Sequence, residues 1–424
     1  MSGLTGLSGL SGLSSLFGTI GTVISYILRD DFTTNEASPL ASPRTCDGVG
    51  NATLIQNDGT FDISGGNLVT GAHTSDGWGE LVYSSTDMSN EAGALLVFSL
   101  SFNNATDGKR AEFGIGATPI ASGTRFVQYP LSFGGGYRVG VIATGFVHID
   151  GRTETANTQI NFGIIPRTTG AFFIRKDVGS EYKMIWIDET ISTSTMDNVL
   201  FDCNSFEANV HYIRQSVSGT YTPTPTASDS FDRTNSSALG STDGAGVGES
   251  GGSGLAWTEE SGDWKIASNR LVCDTLDGGT SRAQATVDTG VSDGVVRCTM
   301  RGAAGSSPSL LFRFNDDDNF WIAMLAIDAA QFRLYERTGG TFTLRGSGGA
   351  AGVSADTDYE VTSIVDGTSI TIWKNGDDRL AYTSSDHETE TKYGAYCEGT
   401  LGSDTEQYEN FQIWPRELPE VPDV

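Results

Sequence analysis

One phrase occurs twice in this chain. Thr60–Val69 (TFDISGGNLV) and Asp263–Val272 (DWKIASNRLV) both read aromatic, x, Ile, a short variable stretch, Leu, Val. The spacing suits a hairpin turning near Gly66 in the first copy and Asn269 in the second, because Gly and Asn reach the backbone angles of tight turns at little cost. The surroundings repeat as well. Asp30-Asp31-Phe32-Thr33 matches Asp229-Ser230-Phe231-Asp232 ahead of the phrase, and Gly93–Leu100 matches Gly294–Arg301 behind it. Further on, Tyr182–Ile187 matches Ser369–Lys374. Matches that keep one order and similar spacing predict two copies of one domain.

The remaining pattern is strand and turn. Leu95–Phe102, Ala111–Ile115, Tyr137–Ile149, Ala171–Arg175 and Tyr182–Ile187 are strand candidates with recurring apolar and polar alternation, and no window carries a useful helical stripe. The chain holds 54 glycines, many in Asp-Gly, Gly-Gly and Asn-Gly pairs between short apolar runs, which is turn chemistry. At 424 residues, 38% of them hydrophobic, there is apolar surface for two or three cores. The fold class expected is all-β, with two tandem antiparallel β-sandwich domains at 29–217 and 229–415. Between them Ser218–Ser228 (SGTYTPTPTAS) reads as a semi-rigid linker, since Pro223 and Pro225 lack a ladder donor and favour extended geometry. Residues 416–424 (RELPEVPDV) read as an exposed tail.

Residues 1–28 differ from everything after them. Gly3, Gly6, Gly9 and Gly12 fall at a strict spacing of three, and the apolar run from Leu16 through Phe17 and Ile20 to Leu28 follows. A secretory signal would start with positive charge, but the first Arg is Arg29. The run is too short and Gly-rich for a membrane span, and triplets without proline do not sustain a collagen helix. A Gly-every-third segment with Leu between packs closely against copies of itself or into a partner's groove. The segment reads as an assembly or docking arm.

The formal charge is −27, from 53 acidic residues against 26 basic ones. Such a surface repels nucleic acid and anionic membranes, so nucleic acid is not an expected partner. It suits high salt, a medium rich in divalent cations, or simply a soluble, non-sticky surface. Cys46, Cys203, Cys273, Cys298 and Cys397 are odd in number and lack C-x-x-C spacing, against zinc and against a dense disulfide framework. Cys273 and Cys298 fall in expected strands and read as core thiols; one disulfide stays open. His73, His148, His211 and His387 are isolated, and no G-x-S-x-G elbow or phosphate loop is present. No activity as an enzyme is expected.

Two groups of residues are candidate sites. Asn315-Asp316-Asp317-Asp318-Asn319 is the densest oxygen cluster and a candidate for Ca²⁺, which takes six to eight oxygen ligands; the competing reading is a solvated turn. Trp321, Tyr335 and Trp373, with Trp78, Tyr137 and Trp186 in the first copy, are aromatics on which sugar rings could stack, although large aromatics in a sandwich are more often core because they bury so much area. Of these, Trp321, Tyr335, Trp373, Tyr137 and Trp186 are carried as glycan-binding candidates. Phe61 and Trp264 read as core, because the repeat gives them equivalent positions.

The opening of the second copy, DSF followed by a Gly-rich stretch and SGDWKIASNRLV, resembles the start of laminin-G-like, concanavalin-A-like jelly-roll domains. Leu310–Leu325 (LLFRFNDDDNFWIAML) resembles their paired central strands, and Ser369–Asp377 (SITIWKNGD) the hairpin after them. The resemblance covers most of 229–415 and, more loosely, 29–217; it implies two jelly rolls behind the arm. Such domains are common appendages of tailed-virus virions and of secreted bacterial proteins. With the arm and the tandem, the chain looks like a virion surface protein: a fibre, spike or capsid decoration. The partners implied are other virion proteins, copies of itself as a homotrimer, and host-surface glycans. The alternative is a secreted prokaryotic carbohydrate-binding or adhesion protein, with residues 1–28 removed or membrane-inserted.

Overall fold

A computed structural model describes residues 26–35, 44–46, 51–56, 61–70, 78–84, 92–102, 110–116, 125–130, 137–141, 145–150, 157–177, 179–192, 198–204, 208–216, 221, 223–243, 254–348, 352–376, 378–399, 405–419 and 421. The arm positions Gly3, Gly6, Gly9, Gly12, Leu16, Phe17 and Ile20 lie outside them.

The first copy contributes β1 (Tyr26–Asp30), β2 (Arg44–Thr45), β3 (Asn51–Gln56), β4 (Phe61–Ser64), β5 (Asn67–Thr70), β6 (Trp78–Ser84), β7 (Leu96–Phe102) and β8 (Arg110–Gly116). It continues with β9 (Arg125–Pro130), β10 (Tyr137–Val141), β11 (Gly145–Asp150), β12 (Gln159–Pro166), β13 (Thr169–Asp177), β14 (Tyr182–Ser192), β15 (Asn198–Asn204) and β16 (Ala208–Ser216). The second contributes β17 (Ala227–Asp229), β18 (Thr258–Ser261), β19 (Asp263–Ala267), β20 (Arg270–Thr275), β21 (Arg282–Asp288), β22 (Gly294–Gly302), β23 (Ser309–Asp316) and β24 (Asn319–Ala326). It ends with β25 (Gln331–Thr338), β26 (Thr341–Gly348), β27 (Tyr359–Asp366), β28 (Ser369–Lys374), β29 (Asp378–Thr383), β30 (Lys392–Glu398), β31 (Glu406–Pro415) and β32 (Glu417–Leu418). The fold is all-β, and among the described residues the only helix is a 3₁₀ turn at Ile327–Ala329.

Four sheets form. Sheet I runs β32-β14-β13-β12-β7-β16-β5-β4 with β1 on β16, and sheet II runs β11-β10-β9-β8-β15-β6-β3-β2. Sheet III runs β19-β20-β31-β22-β27-β28-β29 with β17 on β31, and sheet IV runs β18-β21-β30-β23-β24-β25-β26. The orders are the same in the two copies. From β14 to β4, sheet I maps strand for strand onto sheet III from β29 to β19, and sheet II from β11 to β3 maps onto sheet IV from β26 to β18. One detail of the sequence alignment is corrected. Ser369–Lys374 is β28, whose counterpart is β13, whereas Tyr182–Ile187 lies one strand later in β14. Adjacent strands of one hairpin carry the same apolar rhythm, so a slip of one strand leaves the pattern looking intact.

The repeat extends to the backbone. Asp30 closes β1 on β16 and Asp229 closes β17 on β31, and both carboxylates are buried. Two residues on, Phe32 (φ 53°) and Phe231 (φ 57°) both take the left-handed conformation that ordinary residues rarely hold. β1 begins at Tyr26, so the last three residues assigned to the arm belong to the first sandwich.

Each copy packs its sheets face to face. Phe113 of sheet II meets Phe98 and Phe162 of sheet I with ring centroids 4.8 and 5.0 Å apart. In the second copy Trp321 of sheet IV packs on Tyr382 of sheet III with centroids 5.8 Å apart, and the Ser309 N–H of sheet IV donates to the Tyr408 hydroxyl of sheet III (3.1 Å). Trp264 is buried as expected, while the Phe61 side chain lies outside the described residues.

The segments read as linker and tail hold the two sandwiches together. Pro223 and Pro225 are buried; the Tyr221 N–H donates to Gly93 O (3.0 Å) and the Thr226 N–H to Ile413 O (2.7 Å). The expected exposed tail instead folds back as β32, pairing with β14 and burying Leu418 and Val421. An open sheet edge with unpaired backbone groups is a strong attractor for a short apolar segment, and β14 offers one. Around this return, Val295, Ile364, Trp373 and Trp414 of sheet III join the core of the first sandwich. Trp186 stands edge-on to Trp373 (5.2 Å) and Phe172 edge-on to Trp414 (6.3 Å), and Lys183 Nζ pairs with Asp366 Oδ1 at 2.7 Å.

Candidate functional site

Most of the aromatic candidates are structural. Trp321 is 0% exposed in the second core and donates its indole N–H to Asp386 O (3.1 Å). Trp373 and Trp186 seal the contact between sandwiches and are 1% and 4% exposed. None of these three can offer a ring face to a sugar, which corrects that reading. Tyr137 lies on β10 and Trp78 on β6, but their side chains fall outside the described residues. Tyr335 alone of the glycan-binding candidates is half-exposed among the described residues, with its hydroxyl accepting from Arg333 Nη1 (3.1 Å).

Residues 315–319 span the tip of the β23–β24 hairpin, with Asp317 and Asp318 in the turn itself. Asp316 Oδ1 accepts from the Asp318 N–H (2.9 Å) and Asn319 Nδ2 (2.7 Å), and Asp316 Oδ2 accepts from Asn315 Nδ2 (3.3 Å). Asp318 Oδ1 pairs with Arg337 Nη2 (2.8 Å), and Asn319 Oδ1 accepts the Gly339 N–H (3.1 Å). Carboxylate oxygens of Asp316, Asp317 and Asp318 do not converge within 4.8 Å of one another, as a cation would require. The turn reading accounts for the hydrogen bonds of these groups. Burial, more than the neighbouring carboxylates, lifts the pKa of Asp317.

Tyr335 leads to a different site. Along β24, Trp321, Ala323 and Leu325 face the core, so Phe320, Ile322 and Met324 face the other way. With Leu311, Phe314 and Tyr396 they form a second apolar cluster on the far side of sheet IV, flanked by half-buried Tyr335 and Phe342. At the edge of this cluster lies an open cleft of about 430 Å³. Arg282, Arg337, Phe342 and Glu398 line it with the backbone around Ser281, Gly305, Ser307 and Gly399. Arg282 and Glu398 are cross-strand partners on β21 and β30. The Tyr396 hydroxyl donates to Glu398 Oε2 (2.6 Å), and burial together with that carboxylate raises its pKa, so it stays a donor. The Arg337 guanidinium stacks on Phe342 at 4.7 Å while paired with Asp318. A planar ring, guanidinium donors and a carboxylate acceptor thus converge on one concave patch. That chemistry orients a hydroxyl-rich ring: apolar ring faces stack, and charged groups hydrogen-bond the hydroxyls. Sequence reading missed Arg282, Arg337, Phe342 and Glu398, which sit on four separate strands without a motif.

A second arrangement missed in the sequence lies in sheet I. His211, at a bulge in the β16–β7 pairing, has Nδ1 2.6 Å from Asn67 Oδ1 and Nε2 3.1 Å from Ser101 Oγ. With the proton on Nδ1, this is a hydroxyl–imidazole–amide chain, and burial lowers the pKa of His211 so that it stays neutral. Ser101 is only 5% exposed, which leaves little room for an acyl group, and the chain reads as a brace tying β5, β7 and β16.

No protein-family model matches the sequence, and no curated protein matches it. Solved structures similar to it include a carbohydrate-binding module from Bacillus subtilis, 13% identical, covering 37% of this chain and 94% of the module, with a TM-score of 0.32. A β-glucanase from Bacillus licheniformis is 12% identical and covers 45% of this chain and 97% of its own, with a TM-score of 0.31. A galectin from Caenorhabditis elegans is 11% identical and covers 30% and 88%, with a TM-score of 0.25. Likenesses this low say nothing of the ligand of this chain.

Proposed function

We propose that this chain is a non-catalytic, glycan-binding surface protein of a virion, attached through its N-terminal segment and presenting its sandwiches outward. The observation that supports binding is the cleft beside Phe342, where Arg282, Arg337 and Glu398 set charged donors and an acceptor around an aromatic plane. The acidic exterior, −27 overall, keeps such a protein soluble and off nucleic acid, while many copies on one particle make weak contacts strong. The Gly-every-third arm supports attachment as an oligomer, a trimer in this reading.

Two measurements test the two halves separately. On a glycan array the full chain is expected to bind a defined set of glycans, and Arg282→Ala and Glu398→Gln each to weaken that binding about tenfold or more, since hydrogen bonds to charged groups contribute about 1.5–3 kcal/mol. No binding to any glycan, or binding unchanged in both variants, would remove the cleft from consideration. For attachment, the full chain is expected to sediment as a trimer or larger and a chain beginning at Tyr26 as a monomer. Monomers in both cases would favour the secreted binding protein instead.

A further inference from the structure

The core of the second sandwich contains a polar group that packing does not explain. Cys273 lies on β20 in sheet III, Cys397 on β30 in sheet IV, and Glu406 opens β31 in sheet III. Each is 0% exposed. One ligand atom from each, the two Sγ and a carboxylate oxygen, lie within 4.8 Å of one another. Among the described residues no other three His, Cys, Asp or Glu converge this closely. Glu406 Oε1 accepts the Ser307 N–H (2.9 Å), but Oε2 is buried with no hydrogen-bond partner. A buried carboxylate oxygen without a donor is costly, and such orphans call for a ligand or a catalytic role. The Cys397 thiol faces both Cys273 and the Glu406 carboxyl, and Cys273 and Cys397 each lie 4.0 Å from a carbonyl oxygen, of Thr275 and Ala283.

We propose that Cys273, Cys397 and Glu406 bind a thiophilic divalent cation, with zinc the best fit to the donor set. Bond lengths of about 2.0–2.3 Å place the ligands of a tetrahedral zinc about 3.5–3.8 Å apart, so the trio closes on the ion with small side-chain movements. Two sulfurs and one oxygen select zinc over calcium or magnesium, which take oxygen alone. Binding exchanges the ion for the protons of the two thiols, and of the carboxyl where it carries one. Water completes the fourth position. The way in is the cleft beside Phe342, because Ser307, the residue that hydrogen-bonds Glu406, lines it. The ion would join sheets III and IV across the core, as an inter-sheet disulfide does in other sandwiches. Cys298, also buried, is committed elsewhere: its thiol lies 3.3 Å from Glu409 O.

The test is titration of the reduced, chelator-stripped full chain with Co²⁺ alone. One ion per chain is expected, with thiolate-to-cobalt charge-transfer absorption and tetrahedral ligand-field bands, both displaced by Zn²⁺. The thermal midpoint should then rise with the logarithm of Zn²⁺ concentration. Cys397→Ser and the near-isosteric Glu406→Gln should each weaken binding tenfold or more, and Cys298→Ser should leave it unchanged. Absence of the charge-transfer band in the intact chain overturns the proposal without recourse to any variant. So does an undiminished band in Glu406→Gln, or the finding that Cys273 and Cys397 are joined to each other as a disulfide in the protein isolated without reductant.

Discussion

Replacing Trp373 with alanine is expected to destabilise the full chain by about 3–5 kcal/mol, the usual range for deleting a fully buried Trp. The indole is 1% exposed and belongs to the first sandwich's core although its strand, β28, belongs to the second. It stands edge-on to Trp186 at 67°, the geometry aromatic pairs prefer, beside the ion pair of Lys183 with Asp366. Its loss opens a cavity between the two sandwiches. Urea unfolding monitored by fluorescence measures the shift, and limited proteolysis should show faster cleavage around residues 218–228 and 416–424 as the packed connection loosens. Trp186→Ala should give a similar loss, and the double variant less than the sum, with a coupling of about 0.5–1.5 kcal/mol. A shift below about 1 kcal/mol for Trp373→Ala would mean that the sandwiches do not dock this way in solution.

Asp229→Ala is expected to cost about 3–5 kcal/mol, the range for removing one member of a buried ion pair. The carboxylate is fully buried at the start of the second sandwich. It accepts from Arg233 Nη1 (2.6 Å) and Nη2 (3.0 Å), Trp257 Nε1 (2.7 Å) and the Phe231 N–H (2.8 Å). Burial raises its pKa, with the donors from Arg233, Trp257 and Phe231 opposing that rise. Alanine leaves the buried indole and amide N–H without acceptors, in a segment where Phe231 already holds a left-handed backbone. Asp30, the counterpart in the first copy, is also buried and accepts from the Tyr83 hydroxyl (3.1 Å). Thermal unfolding of Asp229→Ala and Asp229→Asn decides the matter. Asn should recover part of the loss by keeping an acceptor, and if Ala were as stable as the parent, the carboxylate would not be anchoring the strand.

How far the sequence could be read depended on what each signal reports. Turn pairs and alternation report local backbone geometry, and they identified an all-β chain. The recurring D-x-F opening and the aromatic–Ile–Leu–Val phrase report a repeated fold, and the same strand order appears in both copies. The faces of the strands were less legible. β24 reads FWIAML without a break because both sides of sheet IV are covered there, so nothing in the string says that Trp321 points to the core and Phe320 away from it. Trp186 and Trp373 look like exposed candidates until the other sandwich is placed against them.

The sequence by itself determined the strand-and-turn architecture, the tandem and the acidic surface, because each is set by short-range pattern or by composition. Tertiary structure alone decided three things. The tail became an edge strand, since only the assembled sheet exposes the unpaired edge of β14. The cleft drew Arg282, Arg337, Phe342 and Glu398 from distant strands, and the core brought together Cys273, Cys397 and Glu406 where cysteine spacing had argued against zinc. In an antiparallel sandwich, long connections place residues from remote parts of the chain side by side, so convergence of chemistry follows strand order and leaves no trace in local spacing.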